Sequence, residues 1–149
     1  MKLEDAIHQD TFRNERHKAL LNIYYRNGLI FNQVQQILKD YELTPQQFNL
    51  LRIVRGQHPA SATINLLKER MLDKDSDVSR LVTRLHEKEL LERRTCPDNR
   101  RKMDVKLTEK GTQLLLQLDT VEQRFEDLLS PLSDEEVEKL NYLLGKIDG

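Results

Sequence analysis

The fold is decided by Ser76-Asp77-Val78-Ser79-Arg80-Leu81-Val82-Thr83-Arg84-Leu85, followed by Leu90-Leu91-Glu92-Arg93-Arg94-Thr95-Cys96, Pro97-Asp98-Asn99-Arg100-Arg101-Lys102 and Met103-Asp104-Val105-Lys106-Leu107. In the first segment Val78, Leu81, Val82 and Leu85 recur at helical spacing. They leave Ser76, Asp77, Ser79, Arg80, Thr83 and Arg84 on the opposite face. Met103 to Leu107 alternate apolar and polar, as a half-buried strand does. Pro-Asp-Asn between two extended runs is turn chemistry. The pattern predicts a helix followed by a β-hairpin with a basic tip.

Working back toward the N-terminus, Thr44-Pro45-Gln46-Gln47 is a helix start. Thr44 can cap, Pro45 fits the first turn, and the Gln47 side chain can reach back to the cap amide. Phe48, Leu51 and Val54 share a face, and Gly56-Gln57-His58-Pro59 ends that helix. Ser61 or Thr63 opens a short helix through Ile64, Leu66, Leu67 and Met71. Leu72-Asp73-Lys74-Asp75 reads as a turn with capping acids. Three short helices of this spacing form a helix-turn-helix unit, and with the hairpin they make a winged helix over residues 41–107.

The flanks are helical. Over residues 11–40, Leu20, Ile23, Tyr24, Ile30, Phe31, Val34 and Leu38 mark one face, with Gly28 interrupting but not ending it. Over residues 108–149, Thr108 caps a stripe of Leu114, Leu115, Leu118, Val121, Phe125, Leu128 and Leu129. Ser130-Pro131-Leu132 breaks it, and Ser133 with Glu136 forms a capping box for a last helix carrying Val137, Leu140, Leu143, Leu144 and Ile147. These flanks hold more apolar helix than a winged-helix core can bury, so dimerisation through them is expected. The expected class is mainly α with a small β-hairpin wing, one domain over residues 1–149.

Charge is unevenly spread. Residues 1–51 balance, residues 52–111 carry 15 basic and 10 acidic side chains for a net of +5, and residues 112–149 carry 3 and 9 for −6. A basic middle points to a polyanion-binding face; charge complementarity between segments is the competing reading. Trp is absent and aromatics are 5%, which argues against a base- or sugar-stacking platform. The lone cysteine, Cys96, can form neither an internal disulfide nor a multi-cysteine zinc site, so a cytoplasmic protein is expected. No apolar run has the length of a membrane span or the form of a signal peptide. His8, His17, His58 and His86 show no HxxxH or HExxH spacing. No G-x-S-x-G, Gly-rich phosphate loop or Cys-His arrangement occurs. No enzyme, metal or cofactor is expected.

The ordered set Leu43-Thr44-Pro45-Gln46-Gln47-Phe48, Ser79-Arg80-Leu81-Val82-Thr83-Arg84-Leu85, Leu91-Glu92-Arg93, Asp98-Asn99-Arg100-Arg101 and Leu107-Thr108-Glu109-Lys110-Gly111 resembles the MarR family of bacterial winged-helix transcription regulators. The resemblance runs through the closing Leu132-Ser133-Asp134-Glu135-Glu136-Val137 helix. It implies a homodimer joined by N- and C-terminal helices, with a recognition helix in the major groove and a wing in the minor groove of double-stranded DNA. It also implies a palindromic operator and, often, release by a small phenolic or lipophilic effector near the dimer interface. The sequence departs from that pattern in three places. Glu89 stands where the family usually has Gly, a costly choice if the backbone there is left-handed. The turn at Leu72-Asp73-Lys74-Asp75-Ser76 looks one residue long. Asp77 puts a carboxylate on the face expected to meet DNA, where it would accept from a cytosine amino group or orient Arg80.

The DNA-binding candidates are therefore Ser76, Asp77, Ser79, Arg80 and Arg84 on the helix, Asp98, Arg100, Arg101 and Lys102 at the hairpin, and Ser61 and Thr63 at the preceding helix start. Asp98 would hold Arg100 as it enters a narrow minor groove, and Arg101 and Lys102 would meet phosphate. A solvated basic turn is the alternative for the tip, and an exposed face of paired charges for the helix. Tyr24, Tyr25, Phe31, Phe48 and Met71 are the effector-pocket candidates, with plain core as the competing role. Cys96 beside Arg93 and Arg94 raises a redox-switch reading against ordinary packing in a wing strand. The rival function is a winged-helix protein-interaction module that has lost DNA binding, motivated by Asp77 and Glu89.

Overall fold

The computed structural model describes residues 1–96 and 98–147, with the side chains of Cys96, Arg100 and Arg101 outside the described set. The chain is mainly helical with a small antiparallel sheet, and it divides into two compact units, Met1–Phe48 and Asn49 onward.

The first unit holds helix α1 (Leu3–Ile7), helix α2 (Glu15–Lys39) and the first turn of helix α3 (Pro45–Gly56). The expected start of α2 near residue 11 moves to Glu15, because the Asn14 side chain accepts from the His17 amide at 2.9 Å and caps the helix there. The helix runs through Gly28 without a break. At ~1.5 Å per residue its 25 residues span about 37 Å. It ends in a Schellman motif around Glu42, whose φ is 54°. The Leu43 amide donates to the Leu38 carbonyl and the Glu42 amide to the Lys39 carbonyl. Helix α1 lies ahead of the residues expected to be helical; its Leu3 is buried, and Glu4 forms an ion pair with Lys18. The Thr44–Gln47 capping box has both bonds, at 3.1 and 3.2 Å.

The second unit continues α3 and adds strand β1 (Ala62–Thr63), helix α4 (Ile64–Arg70), helix α5 (Val78–Glu87), strand β2 (Leu91–Cys96), strand β3 (Asn99–Leu107), helix α6 (Glu109–Asp119), helix α7 (Gln123–Glu126), a 3-10 turn (Asp127–Leu129) and helix α8 (Asp134–Leu144). The sheet order is β1-β3-β2. Ala62 pairs with Val105 and Thr63 with Asp104, a third strand that the sequence reading missed. Buried Leu50, Leu51, Val54, Leu67, Met71, Val78, Val82, Leu85, Leu91, Val105, Leu115 and Leu118 form this unit's core. Helix α4 packs on α5, β1 and β3, and α5 packs on β2.

Two further expectations needed correction. The stripe from residue 108 to 129 is not one helix: α6 ends at Asp119, and the Thr120 hydroxyl donates to the Gln117 carbonyl at 2.7 Å. A threonine bonding back to the chain in this way offers the backbone an alternative to the helix. Tightened i→i−3 bonds from Val121 to Leu118 and from Arg124 to Val121 carry the bend. The other correction is at the hairpin, where β3 begins at Asn99, paired with Cys96, so Arg100, Arg101 and Lys102 belong to a strand rather than to a loop. The Ser133–Glu136 capping box stands as read.

Candidate nucleic-acid interface

Helix α5 is built with one buried and one open face. Val78, Val82 and Leu85 are buried, while Ser79, Arg80 and Arg84 are exposed. Asp77 is its N-cap, its side chain accepting from the Arg80 amide at 3.1 Å. The acid that looked out of place before DNA thus satisfies an orphan helix amide and complements the helix dipole. Ser76 is half-buried, and its hydroxyl oxygen is shut off from solvent with no hydrogen-bond partner among the described residues. Arg84 lies 3.6 Å from Glu87, both side chains more than half exposed, a surface pair worth ~0–1 kcal/mol.

The C-terminus of α5 is a second Schellman motif. The Glu89 amide donates to His86 and the Leu90 amide to Leu85, with Glu89 at φ 61°. Glu89 therefore occupies the left-handed position that the resemblance assigns to Gly. Around it, the Thr108 hydroxyl donates to the Glu89 carbonyl at 2.6 Å and Lys110 Nζ to the Lys88 carbonyl at 3.0 Å. His86 Nδ1 lies 3.0 Å from the Leu91 carbonyl oxygen and donates to it. These bonds fix the angle at which the wing leaves the helix.

Thr63 closes β1 and caps α4, its hydroxyl accepting from the Leu66 amide at 3.1 Å; Ser61 is half-buried and makes no cap. In the wing, Asp98 and Lys102 are exposed. The Asp98 clasp on Arg100, the reach of Arg101 and the packing of Cys96 fall on side chains outside the described residues.

A family model described as MarR family matches residues 41–102. The solved MarR transcription factor of Planctomyces limnophilus is 30% identical over 93% of this chain and 98% of that one, with a TM-score of 0.69. The chain belongs to the MarR family. Its fold is also that of Bordetella bronchiseptica BpsR, whose DNA binding is regulated by 6-hydroxynicotinic acid (26% identity, 89% of this chain, 98% of that one, TM-score 0.73). The S. aureus MepR–DNA complex shares the fold at 23% identity, over 83% of this chain and 91% of that one, with a TM-score of 0.75.

The effector candidates differ in exposure. Tyr24 is 68% exposed and Phe31 39%. Tyr25 is half-buried, with the Arg26 guanidinium 5.3 Å from its ring centre. Phe48 and Met71 are buried as core residues. A cleft of about 270 Å³ in the second unit is lined by Val54, Arg55, His58, Lys106, Leu107 and Thr108 among others, and by none of these five. Among the described residues no cluster of His, Cys, Asp and Glu could hold a metal, and no helix is long and apolar enough to cross a membrane.

One residue of this face escaped the sequence reading. Arg93 is exposed on β2, and its Nη1 donates to Thr83 Oγ1 of α5 at 3.5 Å. The signal was available in the alternation of β2, which places Arg93 on the same sheet face as Leu91.

Proposed function

We propose that this chain is a sequence-specific, DNA-binding transcription regulator. It acts as a homodimer on a pseudo-palindromic operator and is released by a small-molecule effector. The observation that carries the reading is the open polar face of α5, with Ser79 and Arg80 exposed over a buried Val78–Val82–Leu85 face and a basic hairpin beside it. A bidentate Arg–guanine contact discriminates by ~1–3 kcal/mol.

The dimer is supported by apolar side chains left uncovered within each unit. On α2 these are Leu20, Ile23, Tyr24, Ile30 and Phe31; on and after α8 they are Leu143, Leu144 and Ile147. Exposed stripes of this kind mark interaction surfaces. Two copies then present two α5 helices to half-sites about one helical turn apart. The effector part leans on the family and on the ligand-regulated BpsR relative. Tyr24, Tyr25 and Phe31 are its accessible or half-accessible candidates. A protein whose work is on DNA inside a bacterial cell is cytoplasmic, and nothing in this reading calls for an enzymatic step.

The rival interaction-module reading drew on Asp77 and Glu89, and both now have local structural roles, one as a cap and one at a helix end. Selection of bound duplexes from a random library tests the proposal. A palindromic consensus is expected, bound by a dimer in sedimentation, with Arg100→Ala losing about 1–3 kcal/mol on it. A monomer that enriches no sequence would overturn the reading.

A further inference from the structure

Arg93 stands between the helix and the wing. Val105, opposite it in β3, and Ala62, opposite Val105 in β1, are fully buried, while Arg93 itself is exposed. A long basic side chain at such a place carries its charged end outward on a methylene stem. The charge arrives beside Thr83, on the polar face that also holds Ser79 and Arg80. Thr83 gives its own hydroxyl hydrogen to the Ser79 carbonyl at 3.0 Å, so it can only accept from Arg93, and at 3.5 Å that bond is long.

Three nearby cations lie in surface ion pairs, Arg84 with Glu87, Arg94 with Glu92 and Lys110 with Glu89. Among the described residues Arg93 has no such partner. A planar guanidinium with free N–H groups at a protein surface matches a phosphate diester in shape and charge.

We propose that Arg93 binds the phosphates of the DNA strand that separates the groove entered by α5 from the groove entered by the wing. The inference rests on the DNA-binding reading above. A duplex that receives α5 in one groove and the hairpin in the next must pass one sugar-phosphate strand between them. Arg93 is the cation that the sheet holds at that place. Such a contact positions the protein without reading sequence.

The test is the salt dependence of duplex binding by the full-length protein, on the selected operator and on an unrelated duplex. Each neutralised phosphate contributes about 0.9 to the slope of log K against log salt. Arg93→Gln is expected to flatten that slope by about 0.9 on both duplexes, with the order of sequence preference unchanged. Arg93→Lys keeps the slope. Arg94→Gln, on the opposite face of β2 by strand alternation, leaves it as in the wild type. An unchanged slope in Arg93→Gln overturns the proposal, and so does weaker binding at unchanged slope with a lowered unfolding midpoint, the signature of a purely structural arginine. Failure of the wild-type chain to bind any duplex at low salt sinks the DNA-binding reading itself, a result distinct from either of these.

Discussion

The bare Cα of Gly111 sits against the carbonyl of Leu90. A Cβ added at Gly111 would overlap the Leu90 oxygen outright and would lie 3.2 Å from its carbonyl carbon and 3.3 Å from Leu107 Cδ2. The same oxygen accepts the Thr108 amide at 3.1 Å, so backbone, not a yielding side chain, blocks the space. Gly111→Ala is expected to destabilise the fold by about 1–3 kcal/mol, the usual cost of overpacking. Urea unfolding measures it; a midpoint equal to wild type would show that α6 can slide away from Leu90.

Glu89 makes the opposite case. At φ 61° it holds a conformation that glycine adopts freely. Among the described residues its ion-pair partner is Lys110 at 3.8 Å, with the Glu89 side chain 83% exposed, so little is lost with the carboxylate. Glu89→Gly is expected to raise stability by about 1 kcal/mol. The check is the same urea titration, and a lower midpoint would mean that the carboxylate matters more than the backbone.

Asp77 separates a capping role from a base-reading one. If its work is the bond to the Arg80 amide, Asp77→Ala costs about 1 kcal/mol of stability while Asp77→Asn or Asp77→Ser restores most of it. Sequence selection repeated on Asp77→Asn should return the wild-type consensus. A changed base preference with unaltered stability would move Asp77 into the group that reads DNA.

At the N-terminus the Lys18 ammonium, hydrogen-bonded to Glu4, holds the Glu4 carboxyl below its ordinary value of 4.5. The same pair raises Lys18 above 10.5. A depressed carboxyl contributes stability that is full above its unfolded value and lost as pH falls through the folded one. The raised lysine loses its share only as pH climbs through the folded value. Hydrogen exchange in α1 should therefore be faster in Glu4→Gln than in wild type at neutral pH. The difference should vanish in acid, below the depressed Glu4 value. A difference that persists there would assign it to packing.

Much of this molecule could be read from its residues, and the reasons are local. Thr44 with Gln47, Ser133 with Glu136, and Thr108 before α6 are caps whose partners lie within a few positions, so spacing alone reveals them. Glu89 was legible as a conflict between residue and backbone. What escaped was set at a distance. Ala62 and Thr63 form a strand only because Val105 and Asp104, far along the chain, supply its partners. Arg93 joined the α5 face only once β2 was laid against that helix. The end of α6 at Asp119 hid because the apolar period runs on past the bend. The capping role of Asp77 was not legible, since a cap and a ligand use the same carboxylate.

The two-residue strand β1 has a mechanical consequence. Thr63 is at once the last rung of the sheet and the first post of α4, so the ladder that ends in the wing is bolted to the frame that carries α5. The brace meets the hairpin near its root, at Val105 and Asp104 opposite Arg93 and Arg94, so on the proposed DNA-binding reading the root of the wing keeps a set bearing to α5 and accommodation to a groove falls to the part beyond those rungs.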